Sequence, residues 1–363
     1  MSDGPYSTMK AGWHIDRIKD IRDGKQAVPV ELQIILSDLC NHDCYWCAYR
    51  SSEGLSAEKF VVIEADGKRN HNPNRMIPFD KAIEILDDAA MLGVKSIIFT
   101  GGGEPTVHPQ HLEIFQHALD LGLECSLNTN GDLLRDGWKD VLPLFAYIRV
   151  SVDAGTDEEY AKTRRVPAGR YDKVLRNLAA MAAAVKEKGT ACIVGTGYVV
   201  TPDNWVNLPL GVGRLAATGA RYVRLASMQS TKGLEAYPGG TWGAAREAAH
   251  RAKAIYGTEN FDVVDLMEAA MGKQMDDPFC GFQQFVLYIG GNQKVYRCCY
   301  VAYSDLGDIG DLSERSFKDW FLSPEKAEKI DMFDARACTT CPLADKNKTI
   351  AYMVGTPTHV NFV

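Results

Sequence analysis

Apolar and polar positions alternate with a period of two over Glu31-Leu-Gln-Ile-Ile-Leu-Ser37. Leu32, Ile34 and Leu36 share one face and Glu31, Gln33 and Ser37 the other, so the spacing predicts a strand. From residue 79 the period changes. Phe79-Asp80 opens a helical pattern through Ile83, Ile85, Leu86 and Ala90 that stops at Gly93. A short apolar strand, Ser96-Ile-Ile-Phe-Thr100, follows. Helix 110–121, strand 124–130, a helix around 133–143, strand 147–153, helix 171–188, strand 191–200, helix 206–217, strand 221–227 and helix 241–256 complete the run. Six strand-then-helix units predict a parallel α/β sheet curled toward a barrel.

The strand faces separate two kinds of barrel. A closed eight-fold barrel packs its lumen with Val, Ile and Leu. Here alternation puts Tyr147, Arg149, Ser151 and Asp153 on one face, against Ile148, Val150 and Val152 on the other. Ser126, Asn128 and Asn130 likewise share a face. With the apolar face against the helices, the lumen is polar and serves as a ligand cavity. The expected fold is an open, partial (β/α)6 TIM-like barrel over residues 31–257. A flat doubly wound sheet is the alternative, but it would not bring six strand ends toward one point.

Around this barrel the pattern is weaker. Residues 1–30 form a polar extension in which Trp13 and Ile15 offer an apolar patch for docking on the main body. Residues 50–79 form a polar insertion. After residue 257 the alternation stops, and residues 258–345 carry half of the cysteines, consistent with a small metal-stapled module. A tail, residues 346–363, carries Tyr352, Met353, Val360 and Phe362 and is expected to dock back.

Composition narrows the class. Of 363 residues, 46% are hydrophobic and 24% charged, which is ordinary for a globular chain. A formal charge of −7 with no basic run longer than Arg164-Arg165 argues against binding a nucleic-acid polymer. The N-terminus lacks a signal-peptide pattern, and the alanine-rich stretch 178–185 is too short to span a membrane. Ten cysteines in such a chain point to a reducing, cytoplasmic compartment and to metal ligation.

The densest chemistry is Cys40-Asn-His-Asp-Cys44-Tyr-Trp-Cys47, spaced C-x3-C-x2-C. Three thiolates hold three irons of a cubane and leave the fourth open to a chelating ligand. Zinc is the alternative. It wants four ligands, and His42 is the only other soft donor nearby. A second set comprises Cys280, Cys298, Cys338 and Cys341, the last two in a C-x2-C turn. Four thiolates from two separated pairs suit either zinc or a fully ligated [4Fe–4S] cluster. Cys125 and Cys192 lie at strand starts and read as small core residues. Cys299 is open to three readings: a swapped ligand, a packed thiol or a hydrogen-atom donor. His108 and His111 flank Pro109 at a helix start and read as cap or surface residues.

The first cysteine stretch resembles the cluster motif of the radical S-adenosylmethionine (radical SAM) family, and the six-unit barrel resembles that family's fold. The resemblance implies that SAM chelates the open iron and that Trp46 packs near its adenine. Thr100-Gly-Gly-Gly-Glu-Pro-Thr106 at a strand end resembles the family's GGE motif, which implies that Gly102, Gly103 and Glu104 hold the methionyl ammonium. Ser151 and Asp153 resemble the ribose motif, although Asp-Ala-Gly is also a good turn sequence. Gly195 resembles the glycine of the fifth strand against which adenine packs, but the acidic residue often found at that strand's end is absent. Asn128 and Arg165 are further pocket candidates, and a surface position suits Arg165 equally. The second cysteine set, with Asp308-Ile-Gly-Asp-Leu312 and Phe317-Lys-Asp-Trp320, resembles the Twitch auxiliary domain, a shortened relative of SPASM, and implies an auxiliary [4Fe–4S] cluster.

The resemblance implies that a reduced cluster, fed by a flavodoxin- or ferredoxin-like donor, cleaves SAM and that a 5′-deoxyadenosyl radical abstracts a substrate hydrogen. About thirty N-terminal residues are few for a leader-binding domain. The expected substrate is therefore a small polar molecule such as a sugar, aminocyclitol or nucleoside, oxidised with the auxiliary cluster as electron acceptor. Peptide modification and epimerisation through Cys299 are the alternatives, and an iron–sulfur electron carrier is the non-enzymatic one.

Overall fold

The computed structural model describes residues 6–50, 75–230 and 232–355, with the backbone of 62–63 and 69–70. The strands in chain order are β1 (Glu31–Ile34), β2 (Val62–Ile63), β3 (Arg69–Asn70), β4 (Ser96–Phe99), β5 (Glu124–Thr129) and β6 (Tyr147–Ser151), then β7 (Ile193–Val200), β8 (Tyr222–Ser227), β9 (Asp262–Asp265), β10 (Val286–Ile289), β11 (Lys294–Tyr296) and β12 (Asp308–Asp311). One sheet runs in the order β12-β11-β10-β1-β4-β5-β6-β7-β8-β9, and β2 pairs separately with β3. The insertion expected at 50–79 lies mostly outside the described residues.

Strands β1, β4, β5, β6, β7 and β8 are the six expected ones, all parallel. Helices join them: Phe79–Leu92, His111–Asp120, the short Trp138–Val141, Arg170–Lys188 and Leu208–Ala216, with Thr241–Tyr256 after β8. Helix Phe79–Leu92 ends at Gly93 with φ of 94°, a left-handed cap that only glycine adopts without strain. A further polar helix, Asp157–Arg164, lies outside the apolar pattern. Its start is a capping box in which Thr156 accepts from the Glu159 N–H and Glu159 reaches back to the Gly155 N–H.

The apolar strand face makes the core. Leu32, Ile97, Phe99, Leu127, Ile148, Val150 and Leu225 are fully buried against Ile85, Leu86, Ile114, Phe115, Val174 and Leu178 of the helices. Phe99 sits between Phe115 and Phe145, with ring centroids 4.4 and 6.2 Å away. Emptying that position as Phe99→Ala would cost about 3–5 kcal/mol. Cys125 and Cys192 belong to this core, as expected. On the opposite face Glu31, Gln33, Thr100, Asn128, Tyr147, Arg149, Ser151, Tyr222 and Arg224 keep partial exposure. The lumen is polar.

The ends differ from expectation. The strand-helix alternation does not stop at residue 257, because β9 continues the parallel run beside β8. At the other edge β10 pairs in parallel with β1, and β11 and β12 extend it as antiparallel strands. The cysteine-rich region thus shares the barrel's sheet. Trp13 and Ile15 do not dock, being 87% and 72% exposed. Ile18, on the inner side of helix Ile15–Arg22, packs with Phe285 and Ile350 instead. Ile350 belongs to helix Ala344–Val354, so the start of the expected tail does return to the body; residues 356–363 lie outside the described set. Among the described residues no helix is long and apolar enough to cross a membrane.

Candidate active site

The C-terminal ends of β1, β4 and β5 assemble the cysteine loop. Backbone contact holds its stem: the Glu104 N–H donates to the Leu39 carbonyl at 3.0 Å. A Cβ on Gly103 would stand 2.3 Å from the carbonyl oxygens of both Ser37 and Leu39. Only glycine allows that approach. The GGE strip therefore braces the cluster loop directly.

Glu104 belongs to the same brace. It is 2% exposed, and its carboxylate accepts from the Thr106 N–H and hydroxyl, the Thr129 hydroxyl and the Asn130 N–H. These bonds tie the strip to β5 and cap the turn at Pro105–Val107. Oε1 accepts three of the four bonds and Oε2 one. Burial pushes this carboxyl above the usual carboxylate range, against the pull of its four donors. His108 and His111 support the same corner. Both are buried, contrary to the surface reading, with His108 Nε2 3.0 Å from the Ile77 carbonyl and His111 Nδ1 2.8 Å from that of His108.

The loop itself hangs on Asp132, which the sequence reading passed over. Asn41 donates to its carboxylate at 2.9 Å, and His42 Nε2 lies 3.5 Å from it. Arg170 and Lys173 each approach to 2.9 Å. Burial opposes ionisation of Asp132, but the bonds from His42, Lys173 and Arg170 win and hold it well below the usual carboxylate range. Asn130 donates to the Asn41 side chain at 2.7 Å. The signal was its place at a strand end, Asn130-Gly-Asp132.

Cys40, Cys44 and Cys47 lie within electrostatic reach of one another. Burial pushes the Cys40 thiol up to about 11 and Cys44 up to about 12. Burial thus favours the neutral thiols, and a bound cation would favour the thiolates. Arg50 acts in the same direction as such a cation. It donates to the Asp38 carbonyl at 2.8 Å and approaches Cys47 Sγ at 3.7 Å. Among the described residues no three His, Cys, Asp or Glu side chains converge as a single metal ion requires. Asn128 donates to Thr100 at 3.2 Å, while its buried Oδ1 has no protein donor. An orphaned acceptor beside the loop fits a ligand carrying N–H or O–H groups. The chemistry of three thiols in one loop suits an iron–sulfur cluster, and the orphaned Asn128 Oδ1 suits a ligand with N–H or O–H groups.

Of four other candidates, Asp153 and Gly195 are placed differently from expectation, while Ser151 and Arg165 lie where the sequence allowed them. Asp153 is fully buried; Arg164 and the Val199 N–H occupy its carboxylate, so it is not open to a ribose. Ser151, one turn of the strand earlier, keeps its partial exposure to the lumen. Gly195 does not present an open face, because the Tyr222 ring lies where its Cβ would be, 2.1 Å away. Arg165 is exposed and pairs with Asp43 at 3.0 Å on the outside of the loop. Its neighbour Arg164 points inward instead, with its guanidinium 5.3 Å from the Trp46 ring. The outward and inward cations are neighbours in the chain.

In the second cysteine set, Cys280 lies within electrostatic reach of Cys298, Cys338 and Cys341. Arg297, buried and bonded to the Leu306 carbonyl and Gln283, faces Cys280, Cys298 and Cys338. Reciprocal backbone bonds between Lys273 and Cys341, 2.8 and 3.1 Å, hold the C-x2-C turn against the 272–281 loop. Cys299 packs against the cluster of Ile35, Tyr288, Tyr296, Ala302 and Tyr303. Burial pushes its thiol up to about 12, with the Glu31 carboxylate adding to the rise and Lys346 and Arg224 opposing it.

Residues 34–205 match the family model described as Radical SAM superfamily. A probable GTP 3′,8-cyclase of Saccharolobus islandicus is 28% identical over 150 residues, 41% of this chain and 42% of that protein. The chain thus matches less than half the length of such curated relatives. Two solved structures share the fold: Streptococcus suis SuiB bound to S-adenosylmethionine has a TM-score of 0.61 at 16% identity, covering 91% of this chain and 74% of that one. Native anSMEcpe with bound AdoMet and Kp18Cys peptide has a TM-score of 0.57 at 17% identity, covering 88% of each. The structural likeness shows an α/β fold shared with those two structures, and the family model matches just under half of the chain.

Proposed function

We propose that this chain is a radical SAM enzyme that abstracts hydrogen from a small polar metabolite and oxidises it. The observation that carries the reading is the three-thiol Cys40–Cys47 loop at the C-terminal end of β1, on a sheet whose polar face carries Arg149, Ser151 and Arg224. Cys40, Cys44 and Cys47 would hold a [4Fe–4S] cluster, with SAM on its open iron. Together the cluster and SAM supply one-electron cleavage of a sulfonium bond and a hydrogen-abstracting radical. Asp132 and Glu104 hold the loop in register, Arg50 balances thiolate charge, and Arg164 supports the Trp46 ring from beneath. Cys280, Cys298, Cys338 and Cys341 would hold a second cluster, a sink for the electron that leaves the substrate. A flavodoxin- or ferredoxin-like protein would supply the first electron, in a cytoplasmic setting.

The decisive experiment is anaerobic reconstitution followed by an assay for 5′-deoxyadenosine from SAM under a strong reductant. Formation that disappears in Cys44→Ala supports the reading. Intact SAM in a cluster-replete sample overturns it. Peptide modification is the second reading, favoured by the peptide-bound structures that share this fold.

A further inference from the structure

Strand β7 runs between β6 and β8, and at the level of Arg149 and Arg224 it carries Gly195 and Gly197. Arg149 pairs in register with Gly195, and Arg224 with Gly197. A side chain on Gly197 would enter the space beside the Arg149 stem, 3.7 Å from its Cδ. The Tyr222 ring fills the space at Gly195, so it is at Gly197, level with Arg224 and beside the Arg149 stem, that the middle strand leaves room between the two arginines.

The two cations lack a protein anion. Arg149 is bonded to the hydroxyl of Tyr6 and lies near Tyr147 and Tyr222. Arg224 packs over the Tyr6 ring at 5.8 Å, and its enclosed Nε has no hydrogen-bond partner. Among the described residues no carboxylate forms an ion pair with either. Glu31 accepts from Gln33 at 2.7 Å and feels the charges of Lys346, Lys10 and Arg149 at longer range. Two desolvated like charges without an anion are costly, and a bound oxyanion is the simplest compensation. Both side chains retain partial exposure, so a ligand in the lumen reaches them.

We propose that Arg149 and Arg224 are the receptor for an oxyanion of the substrate, a carboxylate or a phosphate, at the floor of the barrel. Guanidinium forks suit either group through paired N–H donors. Anchored there, the substrate stands beside Cys299, whose thiol faces Arg224 and Lys346. The inference deepens the proposed function and rests on its placing the substrate in this lumen.

The test uses the anaerobically reconstituted enzyme, without SAM, titrated calorimetrically with inorganic phosphate and, separately, succinate. Saturable binding of one of them is expected, weakened about 10- to 100-fold in Arg224→Gln and in Arg149→Gln. Arg224→Lys, which keeps the charge, should recover part of the affinity. SAM affinity and unprompted 5′-deoxyadenosine formation are measured on the same samples. Unchanged values there, with anion binding lost, place the defect at the receptor. Binding of neither anion to the wild type, or equal binding to the glutamine variants, overturns the proposal. Anion binding without any SAM cleavage overturns the radical reading alone.

Discussion

Arg164 donates to the carboxylate of Asp153 while its guanidinium lies under the ring of Trp46, 5.3 Å away. The ion pair is buried on both sides, with side chains 3% and 0% exposed. Burial alone would neutralise Asp153, and Arg164 is the main force pulling it back toward the ionised form.

Removing one partner should therefore cost more than removing both. Arg164→Ala strands a buried carboxylate and is expected to destabilise by about 3–5 kcal/mol. The double variant with Asp153→Ala should recover part of this. Denaturant unfolding of the four species checks it; additive losses would show that the pair is not coupled.

Acid should loosen the cluster loop through Asp132. Its carboxyl is held low in the folded chain, so its contribution is present above the unfolded value near pH 4 and is lost as pH falls further. The expected contribution is about 1–2 kcal/mol, reduced because the partners Arg170 and Lys173 are each 39% exposed. Acid unfolding of the metal-free chain and of Asp132→Asn reads this, the variant losing stability at neutral pH but little more below pH 4.

Gly103→Ala should fail to load the first metal site. The added methyl meets two backbone carbonyl oxygens at 2.3 Å, which cannot swing aside as a side chain would. Iron content and SAM binding are the readouts. A variant that loads normally would show the loop to be more pliant than its packing indicates.

Two cubanes predict about eight irons per chain. Replacing Cys40, Cys44 and Cys47 by Ala should leave about four, whereas replacing Cys338 and Cys341 should spare SAM cleavage in the absence of substrate. Zinc held by the C-terminal thiols of an anaerobic preparation would remove the second cluster from the mechanism.

Isotopes separate the fates of the substrate radical. Oxidation leaves no solvent hydrogen at the abstracted carbon. Quenching by the Cys299 thiol would place deuterium from heavy water there. Deuterium in a redox-neutral product, lost in Cys299→Ala, would make the enzyme an epimerase.

Much of the fold was legible because local periodicity encodes it. The alternation over Tyr147–Ser151 put Ile148 and Val150 in the core and Arg149 in the lumen, as the structure has them. The cysteine spacings are equally local. Other features depend on distant residues meeting. Asp132 anchors the loop only because β5 ends beside Asn41 and His42, ninety residues away in the chain. Asp153 turns from a ligand candidate into a buried counter-ion because helix Asp157–Arg164 folds back over it, and Gly195 is filled because Tyr222 stands beside it on the next strand. The sequence by itself determined the strand faces and the thiol sets, since both follow from spacing along one element. Which polar groups remain available to a ligand was decided by the tertiary structure alone, because a buried donor or acceptor takes whatever partner the fold brings to it.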